Sequence, residues 1–256
     1  MRRRFFVEDF ADDTAVLRGE TAEHLGRVLR AEPGQLYELS DGCCVWLAKI
    51  ERVAIAKRGE SRIEFALIEP VPASEPALRI NLLISLVKFD RFEWCLEKAT
   101  ELGADEIVPL AAARTDKPLI AAAAKRHKRW QKILLESAQQ SRRLRPPVLH
   151  EMGTPEQVFR KYTGGLKIVL SERQTAPALR QVLLLAGLPA EEREEASAAL
   201  ATGPEGGWTE EEIRAATASG FAEASLGRNI LRTETAVLAS LSILAFTFEP
   251  GDAAVK

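Results

Sequence analysis

Three prolines within seven residues, Pro70, Pro72 and Pro76, lie in the run Glu69-Pro70-Val71-Pro72-Ala73-Ser74-Glu75-Pro76. Each proline fixes φ and removes an amide donor, so no helix or central strand continues through such a run, and it forms a stiff, extended connector. It divides the 256 residues into a short part, 1–72, and a long part, 73–256. The hydrophobic rhythm differs on its two sides.

Before the prolines, Phe5–Val7, Gln35–Ser40, Cys43–Glu51 and Arg62–Ile68 are strand-like, and Pro33-Gly34, Asp41-Gly42 and Arg58-Gly59 supply turns between them. Short strands at this spacing predict a small β-barrel or sandwich. Thr21–Arg30 is predicted helical, with Leu25, Val28 and Leu29 on one side. After the prolines, Ile80–Leu86 is an apolar run suited to a buried strand. Asp90–Leu102 carries Phe92, Cys95, Leu96, Ala99 and Leu102 at helical spacing, and Gly103 is placed to end it with a left-handed cap. Glu106–Leu110 is strand-like. Ala121–Ser141 predicts one long basic helix, and Pro146-Pro147 prevents its extension. Lys167–Leu170 and Leu200–Thr202 read as strands. Thr209–Ser219 opens with a capping box, Thr209 with Glu212, and Gly220 closes it. Phe221–Leu226 is the last predicted strand. Thr233–Phe248 is the last helix, apolar nearly all round, which requires burial in a core or a subunit interface. Alternating strands and helices imply an α/β fold with a parallel sheet and ligands at the carboxyl ends of its strands.

Composition excludes several classes. No apolar run approaches the roughly 20 residues of a membrane span. Met1-Arg2-Arg3-Arg4-Phe5-Phe6 has the charge of a signal peptide but no long apolar stretch, and acids follow at Glu8, Asp9, Asp12 and Asp13, so no export signal is expected. Three cysteines, two of them adjacent (Cys43, Cys44), and three scattered histidines (His24, His127, His150) form neither a disulfide framework nor a metal site. A cytoplasmic protein without a metal is expected. The net charge of −2 conceals an uneven distribution: Lys125–Arg145 holds eight basic residues against Glu136 alone, and Glu191–Glu223 holds nine acids against Arg193 and Arg214. The basic block is either a solvated helix face or an attractor for a polyanion.

Two segments suit chemistry. In Thr202-Gly203-Pro204-Glu205-Gly206-Gly207-Trp208, three glycines between a strand and a capped helix allow backbone amides to approach a ligand, where the helix start adds its own donors. No Gly-Lys-Ser/Thr follows and the spacing is not Gly-x-Gly-x-x-Gly, so neither common nucleotide loop is present; a plain tight turn is the other reading. The second segment is Leu226-Gly227-Arg228-Asn229-Ile230-Leu231-Arg232-Thr233-Glu234-Thr235-Ala236, also between a strand and a helix. Glu234 suits the positive helix end, and Arg232 with Glu234 also reads as an ordinary surface pair at a capped start.

Four stretches carry a family resemblance: Lys98-Ala99-Thr100-Glu101-Leu102-Gly103; Arg129-Trp130 with Gln139-Gln140-Ser141-Arg142-Arg143; Gly203-Pro204-Glu205-Gly206-Gly207; and Leu226-Gly227 with Ile230-Leu231-Arg232-Thr233-Glu234-Thr235-Ala236. In their order and spacing the chain resembles the RsmE family of 16S rRNA (uracil-N3)-methyltransferases, within the SPOUT superfamily. Two positions depart from the family pattern. Asn229 stands where a basic residue is usual, and Phe89 where a glycine is common.

The resemblance implies a SPOUT-type parallel sheet closed by a C-terminal trefoil knot, an exception to unknotted topology, behind a PUA-like β-barrel in residues 1–72. It implies S-adenosyl-L-methionine as cofactor, a homodimer, and 16S rRNA of the assembled small ribosomal subunit as substrate. On it, Leu170, Ser171, Gly203, Pro204, Glu205, Gly206, Gly207, Leu226, Gly227, Ile230 and Leu231 are the cofactor-binding candidates. Gly206 is expected to be needed because a side chain there would meet the ligand or strain the turn. Arg232 and Glu234 are the catalytic candidates, since N3 of a uridine must lose its imide proton and the resulting charge spreads to O2 and O4. Arg2, Arg3, Arg4, Arg129, Arg142 and Arg143 are the RNA-binding candidates. Trp130 either stacks a base or, at its helical spacing, packs. The rival readings are a SPOUT methyltransferase acting elsewhere in RNA, a non-catalytic RNA-binding assembly factor, and a phosphate-binding enzyme using the glycine loop.

Overall fold

The computed structural model describes residues 3–56, 59–73, 75–186 and 196–248. Contacts within the chain define two compact units. One comprises residues up to Glu75 together with Ala138–Pro146, and the other Pro76–Ser137 and the remainder from Pro147.

In the first unit, β1 (Arg4–Phe6), β2 (Thr14–Arg18), β3 (Leu36–Ser40), β4 (Val45–Ala54) and β5 (Arg62–Pro70) form one sheet in the order β1-β3-β4-β5-β2. β1 runs parallel to β3, and the other pairs are antiparallel. Alternate side chains point inward, and Phe5, Leu17, Leu39, Ile50, Ile63 and Phe65 build the core. β2 escapes the sequence pattern because it buries only Ala15 and Leu17. The predicted helix begins two residues earlier and is irregular: α1 (Gly19–Glu23) passes into a π-turn, His24–Val28, where Leu29 N donates to His24 O at 3.2 Å.

Ala138–Pro146 belongs to this unit although a boundary at residue 72 assigns it to the other. Four interactions hold it. Arg4 Nη1 donates to Arg142 O (2.6 Å), Ser40 Oγ to Leu144 O (2.6 Å), and Arg145 Nη1 to Gly42 O (3.1 Å), while Arg145 Nη2 pairs with Glu75 (2.6 Å). These partners are far apart in sequence, so the proline run marks only the first crossing of the boundary.

The second unit is built on a six-stranded sheet, parallel throughout, in the order β11-β9-β10-β6-β7-β8. Its strands are β6 (Arg79–Ser85), β7 (Ala104–Leu110), β8 (Val148–Leu149), β9 (Leu166–Leu170), β10 (Ser197–Thr202) and β11 (Ala222–Ala224). Side chains cover both faces, which is why the strands read as unbroken apolar runs. On one face, α2 (Phe89–Glu101), α4 (His127–Gln140), α6 (Leu179–Ala186) and α8 (Thr233–Phe248) pack over Leu82, Ile84, Ile168, Leu170 and Leu200. On the other, α5 (Pro155–Phe159) and α7 (Glu210–Ala218) cover Leu83, Val108, Val169, Ala199 and Ala201.

α2 keeps the predicted apolar face and ends before Gly103, whose φ of +93° is open to glycine at little cost. The single basic helix predicted over Ala121–Ser141 is instead α3 (Lys117–Ala123), a 3₁₀ turn (Ala124–Arg126) and α4. The break lies between Ala123 and Trp130, both of which are buried against the same core. Among the described residues no helix is long and apolar enough to cross a membrane.

Cys95 is buried on α2, and burial together with the nearby Glu234 carboxylate pushes its thiol up to about 12. Because this value lies above the unfolded one, the thiol's contribution to stability is complete below about pH 8.5 and is lost as pH rises through about 12. Cys43 and Cys44 are exposed. At pH 8 the native protein is therefore expected to present two thiols to a disulfide reagent and to release the third only on denaturation. A native count of three would place Cys95 at the surface.

Candidate functional site

β10 ends at Thr202, and the glycine loop that follows is fixed at several points. At its far end the capping box of α7 forms as its spacing predicts: Glu212 N donates to Thr209 Oγ1 (3.2 Å) and Thr209 N to Glu212 Oε2 (2.8 Å). Glu212 Oε1 also accepts Ala113 N at 2.8 Å, which draws the segment after β7 to the loop. Trp208 Nε1 donates to Leu170 O (2.9 Å), joining the loop to the end of β9. Thr233 Oγ1 donates to Gly203 O (3.1 Å), joining it to the start of α8. On the other side of the loop Arg91 pairs with Glu205 and lies 3.8 Å from Glu234.

The second loop follows β11. Gly227 N donates to Ser225 Oγ (3.3 Å), but among the described residues the amides of Leu226, Ile230 and Leu231 find no acceptor within the chain. These two loops and residues 170–173 after β9 enclose a cleft of ≈ 290 Å³ at the carboxyl ends of the strands. Thr202 Oγ1 lies in its wall, buried and without a hydrogen-bond partner among the described residues. Loop residues whose amides have no partner within the chain line this cleft, which suits a polar ligand.

Nine cofactor-binding candidates line the cleft: Leu170, Ser171, Gly203, Pro204, Gly207, Leu226, Gly227, Ile230 and Leu231. Glu205 and Gly206 do not. Glu205 turns to Arg91, and Gly206 O accepts Arg114 Nη1 at 2.8 Å. A Cβ on Gly206 would meet Arg114 Cβ at 3.2 Å, so its neighbour is that side chain and not the cleft. The backbone demand falls on Gly207, whose φ is +69°.

The catalytic candidates are not brought together in the cleft. Arg232 is exposed just beyond Leu231, with no side-chain partner among the described residues. Glu234 is mostly buried and points toward Arg91, with Oε2 unpartnered. The start of α8 lies between them, and residues two apart on a helix face different sides.

Of the RNA-binding candidates, Arg2 lies outside the described residues, as does the acidic run Glu191–Glu195. Arg3 is exposed. Arg4 is corrected from a surface contact to a buried one: its Nε and Nη2 donate to Glu38 Oε2 at 3.1 and 2.9 Å. Arg142 lies 3.5 Å from the same carboxylate, and Arg143 is half-buried. Arg129 is exposed but pairs with Glu93, as does Arg126. The basic block therefore presents less free charge than its composition suggests. Trp130 is buried against Phe92 (4.7 Å between ring centroids), so it packs. Phe89, in the place of a glycine, takes Arg126 over its ring at 4.7 Å.

The sequence did not single out Arg114, Glu172, Arg173 or Glu210, which also line the cleft. Glu172 and Arg173 stand just past the end of a strand, positions that a strand-end rule would have flagged. Arg114 carries no local signal, because Glu212 brings its loop there from a distance.

A family model described as the RNA methyltransferase domain matches residues 74–245. The ribosomal RNA small subunit methyltransferase E of Synechocystis sp. is 35% identical over 239 residues, covering 92% of this chain and 74% of its own. Its counterpart in Bacillus subtilis is 29% identical, with 96% and 97% covered. The crystal structure of a ribosomal RNA small subunit methyltransferase E from Neisseria gonorrhoeae bound to S-adenosyl methionine superposes with a TM-score of 0.80 at 27% identity, covering 97% of this chain and 98% of that one. A domain model spanning most of the chain and a relative of this identity and coverage show that the protein belongs to the ribosomal RNA small subunit methyltransferase E family of RNA methyltransferases.

Proposed function

We propose that this protein is an S-adenosyl-L-methionine-dependent methyltransferase that modifies N3 of one uridine of 16S rRNA in the assembled small ribosomal subunit. The carrying observation is the cleft of three strand-end loops, lined by Leu226, Ile230 and Leu231, whose amides have no partner among the described residues. This donor set suits an adenine and a ribose, and ≈ 290 Å³ is close to the lower bound of about 300 Å³ for small-molecule sites. Leu170, Ser171, Gly203, Pro204, Gly207 and the 226–231 segment would hold the cofactor. When bound it supplies an electrophilic methyl group on a sulfonium.

The chain's own task is to place the uridine and favour its anion. Arg232, exposed and unpaired beside the cleft segment, is the residue assigned to the charge on O2 or O4. Glu234 acts through Arg91: the pair, with Glu205, holds the glycine loop against the first turn of α8. Arg3, Arg129, Arg142 and Arg143 are assigned to RNA phosphates, where contacts position the substrate without reading sequence.

The trefoil knot belongs to this reading. It is supported by β11 pairing with β9 at the sheet edge while α8, only eight residues later, packs on α2 and ties to Gly203. The first unit is assigned a PUA-like role in holding RNA. A homodimer is supported by Trp94 on α2 and by Ile243 and Phe246 on α8, large apolar side chains that stay exposed, Phe246 at 89%. A cytoplasmic location follows from this substrate.

The test is to incubate the protein with labelled S-adenosylmethionine and small subunits lacking the modification, then to locate the methyl group by mass spectrometry. N3-methyluridine at a single 16S position is expected. A methyl group elsewhere in the RNA would replace the proposed substrate. Subunit binding without transfer would replace the enzyme by a non-catalytic assembly factor.

A further inference from the structure

Among the charged residues lining the cleft (Arg114, Glu172, Arg173, Glu210 and Arg228), Glu172 and Arg114 are opposite charges that lie near one point without pairing. Glu172 Oε1 lies 2.9 Å, and Arg114 Nη1 3.9 Å, from the point that a Cβ on Gly207 would occupy. Both residues line the cleft, yet they form no ion pair with each other or with any other described residue. The remaining acidic residue in the wall is accounted for: Arg173 lies 3.4 Å from Glu210 and 3.8 Å from Glu223. Arg114 is also held in place. Its Nη1 donates to Gly206 O (2.8 Å), and the amide before it is fixed by Glu212, which leaves the rest of the guanidinium free. Gly207, with a positive φ and no side chain, keeps the space between the two charges open.

We propose that Glu172 and Arg114 seat the amino-acid end of the cofactor, Glu172 taking its α-ammonium and Arg114 its α-carboxylate. This rests on S-adenosylmethionine being the cofactor. At this pair the charge pattern favours a zwitterion. A phosphate placed against Arg114 would also face Glu172, and a simple cation placed against Glu172 would face Arg114, while Glu210 is already paired with Arg173. A group carrying both charges satisfies both residues at once, with charge-assisted hydrogen bonds on each side.

The experiment is titration calorimetry of the full-length protein with S-adenosylhomocysteine and with methylthioadenosine, which shares the nucleoside and sulfur but lacks the amino-acid end. For Glu172→Gln and for Arg114→Met the affinity for S-adenosylhomocysteine is expected to fall about tenfold or more, the equivalent of one lost charged hydrogen bond. The affinity for methylthioadenosine is expected to stay at the parent value, which also certifies that each variant is folded. Equal losses for the two ligands would overturn the assignment and leave the residues as shapers of the cleft. A Glu172→Gln effect on S-adenosylmethionine but not on S-adenosylhomocysteine would overturn it too, placing the carboxylate against the sulfonium. Failure of the parent protein to bind either ligand would overturn the cofactor reading itself, a result distinct from both.

Discussion

Glu38→Ala is expected to destabilise the first unit by about 3–5 kcal/mol. Glu38 is buried, and its carboxylate receives two donors from Arg4 while Arg142 lies 3.5 Å away. Removing it leaves the Arg4 guanidinium buried without a counter-charge, and desolvation of that cation then goes uncompensated. The loss extends across the unit, because Arg4 also holds the Arg142 carbonyl and so anchors Ala138–Pro146. Urea denaturation followed by circular dichroism measures it. The double variant Arg4→Met with Glu38→Leu is expected to recover most of the stability, since a buried ion pair replaced by apolar groups of similar volume is often neutral. A cost below about 1 kcal/mol for Glu38→Ala would mean that the pair is solvated and Arg4 available to a partner.

Trp130→Ala is expected to cost about 3–5 kcal/mol. The indole is buried between α2 and α4, 4.7 Å from the Phe92 ring and 6.1 Å from that of Phe89. Truncation leaves a cavity in the face of the core that also carries α8. Trp130→Phe separates shape from polarity. Trp130 Nε1 is buried with no partner among the described residues, so phenylalanine keeps most of the packing and removes an unsatisfied donor. Its expected cost is well below that of Trp130→Ala, because the phenyl ring fills most of the space and leaves only a small cavity. Thermal and urea midpoints measure both variants. Binding of Trp130→Phe to small subunits is expected to match the parent; a selective loss of binding would return the indole to a stacking role.

What the sequence alone determined about this protein depends on neighbours along the chain. The capping box of α7, the amphipathic face of α2 with Gly103 behind it, and the start of α8 each depend on groups within a turn or two, so they are legible residue by residue. The alternation of strands and helices placed the glycine loop at a strand end, while the individual cofactor-binding candidates came from the family resemblance. Tertiary structure decided everything that depends on contacts between distant residues. It moved Ala138–Pro146 into the first unit through Arg4, Ser40 and Arg145, and it turned Arg4 inward onto Glu38. It divided the basic helix between Ala123 and Trp130 so that both are buried. It also set Glu234 against Arg91 and brought Arg114 to the cleft through Glu212, 99 residues away from the Ala113 amide it accepts. A charged side chain has no periodicity that reveals its orientation. Whether it meets solvent, a ligand or a buried partner is settled only when distant segments supply, or fail to supply, the opposite charge.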